Sequence, residues 1–357
     1  MAGKRIQFGI KFVLVLTLLF AVALGWIGHN ANLSRQEDAA ISAISQLCKD
    51  FEFNYGDDPN GSAPGPAWIR SLWGQRVFAR VHGIRIKEFD PVIIKHLCSF
   101  RQLRSLELLT CDEEVDLSGL GRLSHLESVY FCKLKQFQQL TGFAGHRSLK
   151  ELIVDCDSFM SFRGIGDMPN LEYLSVSSSA TIDDGTLIDL PSLKEIYLRG
   201  NLPWKDCQIL SQFPDLEKVS LVDFENLESL GGIESLKSLK ELEVVFGYSL
   251  KDLTDIAGHP RLEKVELDGV FPDLEGVRDM PKLKSLVLDS HNLKSFEGLS
   301  ELPQLKKILS GDSQVSDISP VANCPALQQL QISSYELSDL GPVQGLTDLT
   351  ELNLRSC

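Results

Sequence analysis

The sequence predicts an α/β fold, a right-handed solenoid curved into an arc. About 13 repeats would stack a parallel β-sheet on the concave face, with mostly 3₁₀ or irregular segments on the convex face and a small α/β N-terminal cap. Three observations carry this. An apolar unit of the form L-x-x-L-x-L, with Ile, Val or Phe allowed, runs from Leu103-Leu106-Leu108 through Leu171-Leu174-Val176 to Leu349-Leu352-Leu354, each copy 21–23 residues after the last. A further copy, Val81-Ile84-Ile86, lies one period before Leu103. A period near 22 residues also leaves no room for a long helix in each coil.

Taken in chain order, residues 1–11 form a basic segment with Lys4, Arg5, Lys11 and no acid, expected in the cytoplasm. The run FVLVLTLLFAVALGWI, residues 12–27, carries no charge and covers about 24 Å as a helix. Residues 6–10 extend it across a core of about 30 Å if Lys11 snorkels, which predicts a membrane anchor over 12–28 and an extracytoplasmic remainder. Ala21-Val22-Ala23 keeps open the competing reading, a cleaved signal and a secreted chain, but the apolar run continues through Leu24, Trp26 and Ile27.

Residues 29–75 read as a linker and cap. Ser34 and Glu37 have capping-box spacing, and Ala40, Ile41, Ile44 and Leu47 follow on one helical stripe. Phe51 to Tyr55 alternates like a half-buried strand, 56–66 is turn chemistry, and Trp68, Ile69, Leu72 and Trp73 have helical spacing. These pieces predict a lid on a repeat domain spanning 76–357. In that domain Pro169, Pro191, Pro214, Pro281, Pro303 and Pro325 each stand two residues before a first Leu, where a missing N–H does no harm to the ladder. Sets such as Leu293, Phe296 and Leu299 are spaced by three, as a 3₁₀ turn requires.

These motifs identify the chain as resembling the leucine-rich repeat proteins, in particular the 22-residue internalin-like subclass. Val315-Ser316-Asp317-Ile318-Ser319-Pro320-Val321 and Leu337-Ser338-Asp339-Leu340-Gly341-Pro342-Val343 are similar to that family's x-I-x-D-I-x-P-L step. The resemblance departs at the eighth residue after the first Leu, where the family places an inward Asn. Only Asn201 keeps it, while Cys111 and Cys357 substitute, which puts the inner polar ladder in doubt. The anchor followed by PGPAWIRSLWG resembles membrane-anchored bacterial repeat proteins of unassigned role, which adds localisation only.

The resemblance and the repeat geometry imply a non-catalytic protein-binding module, a membrane-anchored receptor or adaptor. Residues between the leucines point outward on the concave face and are free to bind. The first candidate patch is Tyr130, Ile153, Tyr173 and Tyr197 with Cys132, Asp155 and Arg199; tyrosine and arginine favour interface hot spots. A second, acidic patch is Glu241, Glu243, Glu266, Asp268 and Asp289. The expected partner is an unidentified protein. Nucleic acid is a poor match for 49 acids against 35 bases, a net charge of −14. A self-associating envelope scaffold is the alternative, through an end where Leu349-Leu352-Leu354 has no polar unit to cover it.

No catalytic, cofactor or metal site is predicted, and an enzyme or enzyme regulator is the remote reading. The chain lacks H-E-x-x-H, G-x-S-x-G and P-loop motifs. His146 and His259 share one repeat position, which reads as structural filling, and Asp183-Asp184-Gly185 reads as a turn. Cys111, Cys132 and Cys156 fall at different offsets on successive coils, so buried thiols are expected rather than disulfides, with Cys48–Cys98 a conceivable bridge.

Overall fold

The computed structural model describes residues 10–48, 50–55, 68, 71–72, 80–183 and 187–355. Residues 1–9, 56–66, Ile69, Trp73, Asp184, Gly185 and Cys357, which figure in the sequence reading, lie outside that set.

Among the described residues one sheet of 14 strands runs the length of the molecule in sequence order. β1 (Phe51–Tyr55) pairs antiparallel with β2 (Val81–Glu88), and every later pairing is parallel. β3 (Ser105–Thr110), β4 (Ser128–Cys132), β5 (Glu151–Asp155), β6 (Tyr173–Ser177) and β7 (Glu195–Arg199) form the first half. β8 (Lys218–Val222), β9 (Glu241–Val245), β10 (Lys264–Asp268), β11 (Ser285–Asp289), β12 (Lys307–Ser313), β13 (Gln329–Ser334) and β14 (Glu351–Arg355) complete it. The molecule is a leucine-rich repeat solenoid with an N-terminal cap. The convex side carries 3₁₀ turns such as Ser118–Arg122, Gln208–Gln212 and Ser319–Asn323, as the three-residue spacing predicts.

The ladder leucines face inward: Leu106, Leu152, Leu174, Val219 and Leu286 are fully buried. Phenylalanines thicken this core where coils meet. Phe131 packs edge-on against Phe137 and Phe143, with ring centroids 5.5 and 5.9 Å apart. The column ends at β14, where Leu352 is 43 % exposed.

The inner polar ladder in doubt from the missing Asn is present one position earlier. Ser178, Ser290 and Ser334, each seven residues after a first Leu, are buried and donate to the carbonyls of Phe159, Phe271 and Val315 at 2.7, 2.9 and 2.9 Å. Each spans nineteen residues back, so one hydroxyl closes a loop carbonyl of the preceding coil.

Two expectations about the cap are corrected. Ser34 and Glu37 do not start a helix. α1 runs unbroken from Ile10 to Leu47, and both residues are buried mid-helix on the face shared by Ala31, Ala40 and Ile44. The helix continues through the stretch from Gly25 to Ser34, where no proline stops it. Trp68 and Leu72, expected to form part of the lid, are exposed. Among the described residues the lid is α1 and β1, clamped by Arg80, whose guanidinium donates to the Asn30 carbonyl and Oδ1 at 2.9 and 2.7 Å.

Candidate protein-binding face

Parallel register sorts the outward side chains into three columns. The central one reads Tyr130, Ile153, Ser175, Tyr197, Ser220, Glu243, Glu266 along β4 to β10. The two patches separated in the sequence are therefore one continuous strip, aromatic at one end and acidic at the other. Tyr173 stands in the neighbouring column, between Glu151 and Glu195, followed by Lys218, Glu241 and Lys264. Cys132, Asp155, Ser177 and Arg199 fall in the third, on the opposite flank, which continues through Val222 and Val245. Asp268 and Asp289 pair with each other further along that flank.

Polar groups on the face differ in what engages them. Arg199 is held by Asp223 at 2.9 Å, Lys218 by Glu241 at 3.2 Å and Lys264 by Glu266 at 3.0 Å. Glu195 and Glu243 make no ion pair among the described residues. Cys132 is buried and its thiol points to Asp155 Oδ2 at 3.7 Å, so it supports the face rather than offering a contact. Tyr130 is held protonated well above the usual phenol range by its interaction with the Cys132 sulfur and by partial burial. Burial also raises Tyr197. Burial raises Asp268 and Asp289 above the usual carboxylate range, with neighbouring acids adding to the effect, while the Phe246 N–H at 2.8 Å counteracts it at Asp268.

On the outward columns of β5 to β11, eight acids (Glu151, Asp155, Glu195, Glu241, Glu243, Glu266, Asp268, Asp289) face three bases (Arg199, Lys218, Lys264). A cavity of about 260 Å³ opens on this face beside Tyr173, Tyr197, Ser220 and Glu243. A second of about 470 Å³, lined by Asp155, Asp157, Arg199 and Asp223, lies at the loop rim. The cavity of about 540 Å³ beside Arg147, Asp167 and Asp189 belongs to loops away from these columns.

Two features were missed in the sequence. Phe246 and Tyr248, just past β9, are exposed aromatics with ring centroids 6.2 Å apart at the rim of the face. Their offsets from the first Leu fall in a loop, where only exposed aromaticity could have marked them. Ser220 is the other, a small residue at an outward position between Tyr197 and Glu243. The cysteines are all free among the described residues, Cys48 and Cys98 included, and burial pushes the Cys156 thiol up to about 12. No group of three or more His, Cys, Asp or Glu could hold a metal ion among the described residues.

Comparison with known proteins places the fold. An internalin from Listeria monocytogenes superposes with a TM-score of 0.55 at 18% identity, over 76% of this chain and 85% of its own. A leucine-rich repeat protein from Leptospira interrogans gives 0.55 at 16%, covering 76% of each chain. The leucine-rich repeat ectodomain of the membrane receptor kinase GASSHO1/SCHENGEN3 from Arabidopsis thaliana, in complex with Casparian strip integrity factor 2, gives 0.52 at 14%, over 88% of this chain and 44% of that one. No protein-family profile and no curated protein matches the sequence.

Proposed function

We propose that this chain is a non-catalytic protein-binding module, an extracytoplasmic receptor or adaptor held to a membrane by residues 12–28 with its N-terminus in the cytoplasm. The observation that carries the reading is the central column from Tyr130 to Glu266, whose side chains face out and have no duty in the core. A structurally similar ectodomain has been seen with a ligand bound, which fits the same use of the fold. The anchor rests on α1, which from Val13 is long and apolar enough to cross a membrane and exposes Leu14, Leu18, Phe20 and Val22.

The test is capture by the tagged full chain, cross-linked in intact cells and extracted in detergent, alongside a Tyr130→Ala/Tyr173→Ala/Tyr197→Ala variant. The parent should retain a protein other than itself and the variant should lose it. Stability should stay within about 1 kcal/mol, since outward side chains leave no core cavity. Undiminished capture by a variant that melts like the parent moves the site off these tyrosines. The second reading is a self-associating scaffold. Capture of this chain's own copies alone supports it.

A further inference from the structure

We infer that the concave cavity between β6 and β9 receives an arginine side chain from a basic segment of the partner protein. This rests on the protein-binding reading of the concave face and deepens it.

Ser220 supplies the first reason. The residue is 1% exposed and its Oγ has no hydrogen-bond partner, although nearly all buried hydroxyls in folded proteins find one. Ser220 lines the cavity with Tyr173, Tyr197, Glu195, Glu243 and Lys218, so an acceptor without a donor sits at its wall. Charge supplies the second. Lys218 is already matched by Glu241 at 3.2 Å, whereas Glu195 and Glu243 have no ion pair among the described residues. The uncompensated charge of the cavity is therefore negative. Two tyrosines, Tyr173 and Tyr197, line the cavity as well, and a tyrosine ring attracts a cation over its face.

These groups together select the ligand. A guanidinium offers five N–H donors in one plane, enough to serve both carboxylates and the serine oxygen while its face lies on a ring. An ammonium has three donors and no flat face. At about 260 Å³ the cavity falls below the roughly 300–1,000 Å³ of small-molecule sites, so it suits one side chain of a larger partner. The excess of acids over bases on the surrounding columns, eight to three, favours further basic residues beside that arginine.

The test places the full chain in lipid nanodiscs and reads saturation-transfer NMR of an acetylated, amidated Gly-Ser-Arg-Ser-Gly peptide. Peptides with lysine, citrulline or glutamate in place of the arginine are the comparison. The arginine peptide should bind, the lysine peptide about tenfold more weakly, and the other two not at all. Binding should weaken as salt is raised. Glu195→Gln/Glu243→Gln should weaken it at least about tenfold without touching an existing ion pair. Ser220→Ala should weaken it several-fold at an unchanged melting temperature. Equal binding of arginine and citrulline peptides, no transfer to the arginine peptide, or an unaffected glutamine variant overturns the inference. If the arginine peptide fails while the triple tyrosine variant still loses its captured partner, only this inference falls. If that variant also captures at full strength, the placing of the site on these tyrosines falls with it.

Discussion

Ser178 and Ser220 are both buried serines near the sheet, and they should behave in opposite ways. Ser178 donates to Phe159 O at 2.7 Å, so Ser178→Ala strands a loop carbonyl and should cost about 1–3 kcal/mol in denaturant titration. Ser220 donates to nothing, so Ser220→Ala should leave stability unchanged or slightly raised. A matching loss at both positions would show that the hydrogen bond is not what Ser178 supplies. The paired histidines carry a pH signature. His146 and His259 place Nε2 at 3.1 and 3.0 Å from Leu123 O and Leu236 O of the coil before, and burial holds both below the usual imidazole range. Depressed histidines bind fewer protons folded than unfolded. Their stability contribution is thus complete above the unfolded value near 6.5 and is lost as pH falls through the window between that value and the folded one. Thermal melts from pH 8 to 5 should show this decline, and His146→Gln/His259→Gln should flatten it. The histidine pair was legible because it recurs at one repeat position. The serine ladder was not, because the family's pattern directs attention to the eighth residue, and the seventh is occupied by Gly200, Asp223 and Phe246 in other coils.

Elements are set by what the sequence places at their ends. β strands were readable from the leucine triplets, and observed strands fall on them from Val81 to Leu354. α1 was not, because Ser34 and Glu37 have the spacing of a cap, yet a cap needs a chain that is not already helical, and the apolar run supplies a helix that simply continues. The two accounts separate experimentally. Ser34→Ala should cost nothing measurable, as no cap is lost, whereas Ile44→Ala empties a fully buried position and should cost about 2–5 kcal/mol. An equal loss in both would restore a helix start at Ser34. A further regularity lies one residue after each first Leu, where Arg104, Glu127, Lys150, Glu172, Lys194, Glu217, Lys240, Glu263 and Lys284 alternate in sign. Lys150–Glu127, Lys194–Glu172, Lys240–Glu217 and Lys284–Glu263 close at 2.6–2.7 Å. Such exposed pairs add little stability, but a slip of one coil would oppose like charges, so they discriminate between registers the leucines cannot tell apart. Lys194→Ala should therefore melt like the parent. Lys194→Glu, which makes three successive acids, should melt lower at low salt and recover as salt is raised.

At the scale of the whole molecule, the unbroken α1 joins the apolar segment to the solenoid without a hinge. Trp26 is exposed on the apolar part, and Ala31, only five residues later, is already buried. At 1.5 Å per residue that interval is about 7.5 Å, so a membrane reaching to Trp26 would bring its headgroups close to the first coil. The sheet then leads away from β1 in strict sequence order, each strand about 4.8 Å from the last, which puts the tyrosines and the acidic strip progressively further from the cap. Lipid-borne quenchers can read this arrangement. In vesicles containing lipids brominated high on the acyl chain, protein retaining Trp26 alone should lose most of its fluorescence. Protein retaining Trp204 alone, buried in the core and in edge-on contact with Phe224, should lose none. Equal quenching would lay the solenoid along the bilayer, and no quenching of Trp26 would remove α1 from the membrane. Protease added to intact spheroplasts should meanwhile digest the repeat domain if the three bases that precede the apolar run, with no acid among them, keep that end inside. A protected repeat domain would reverse the orientation and place the concave face in the cytoplasm.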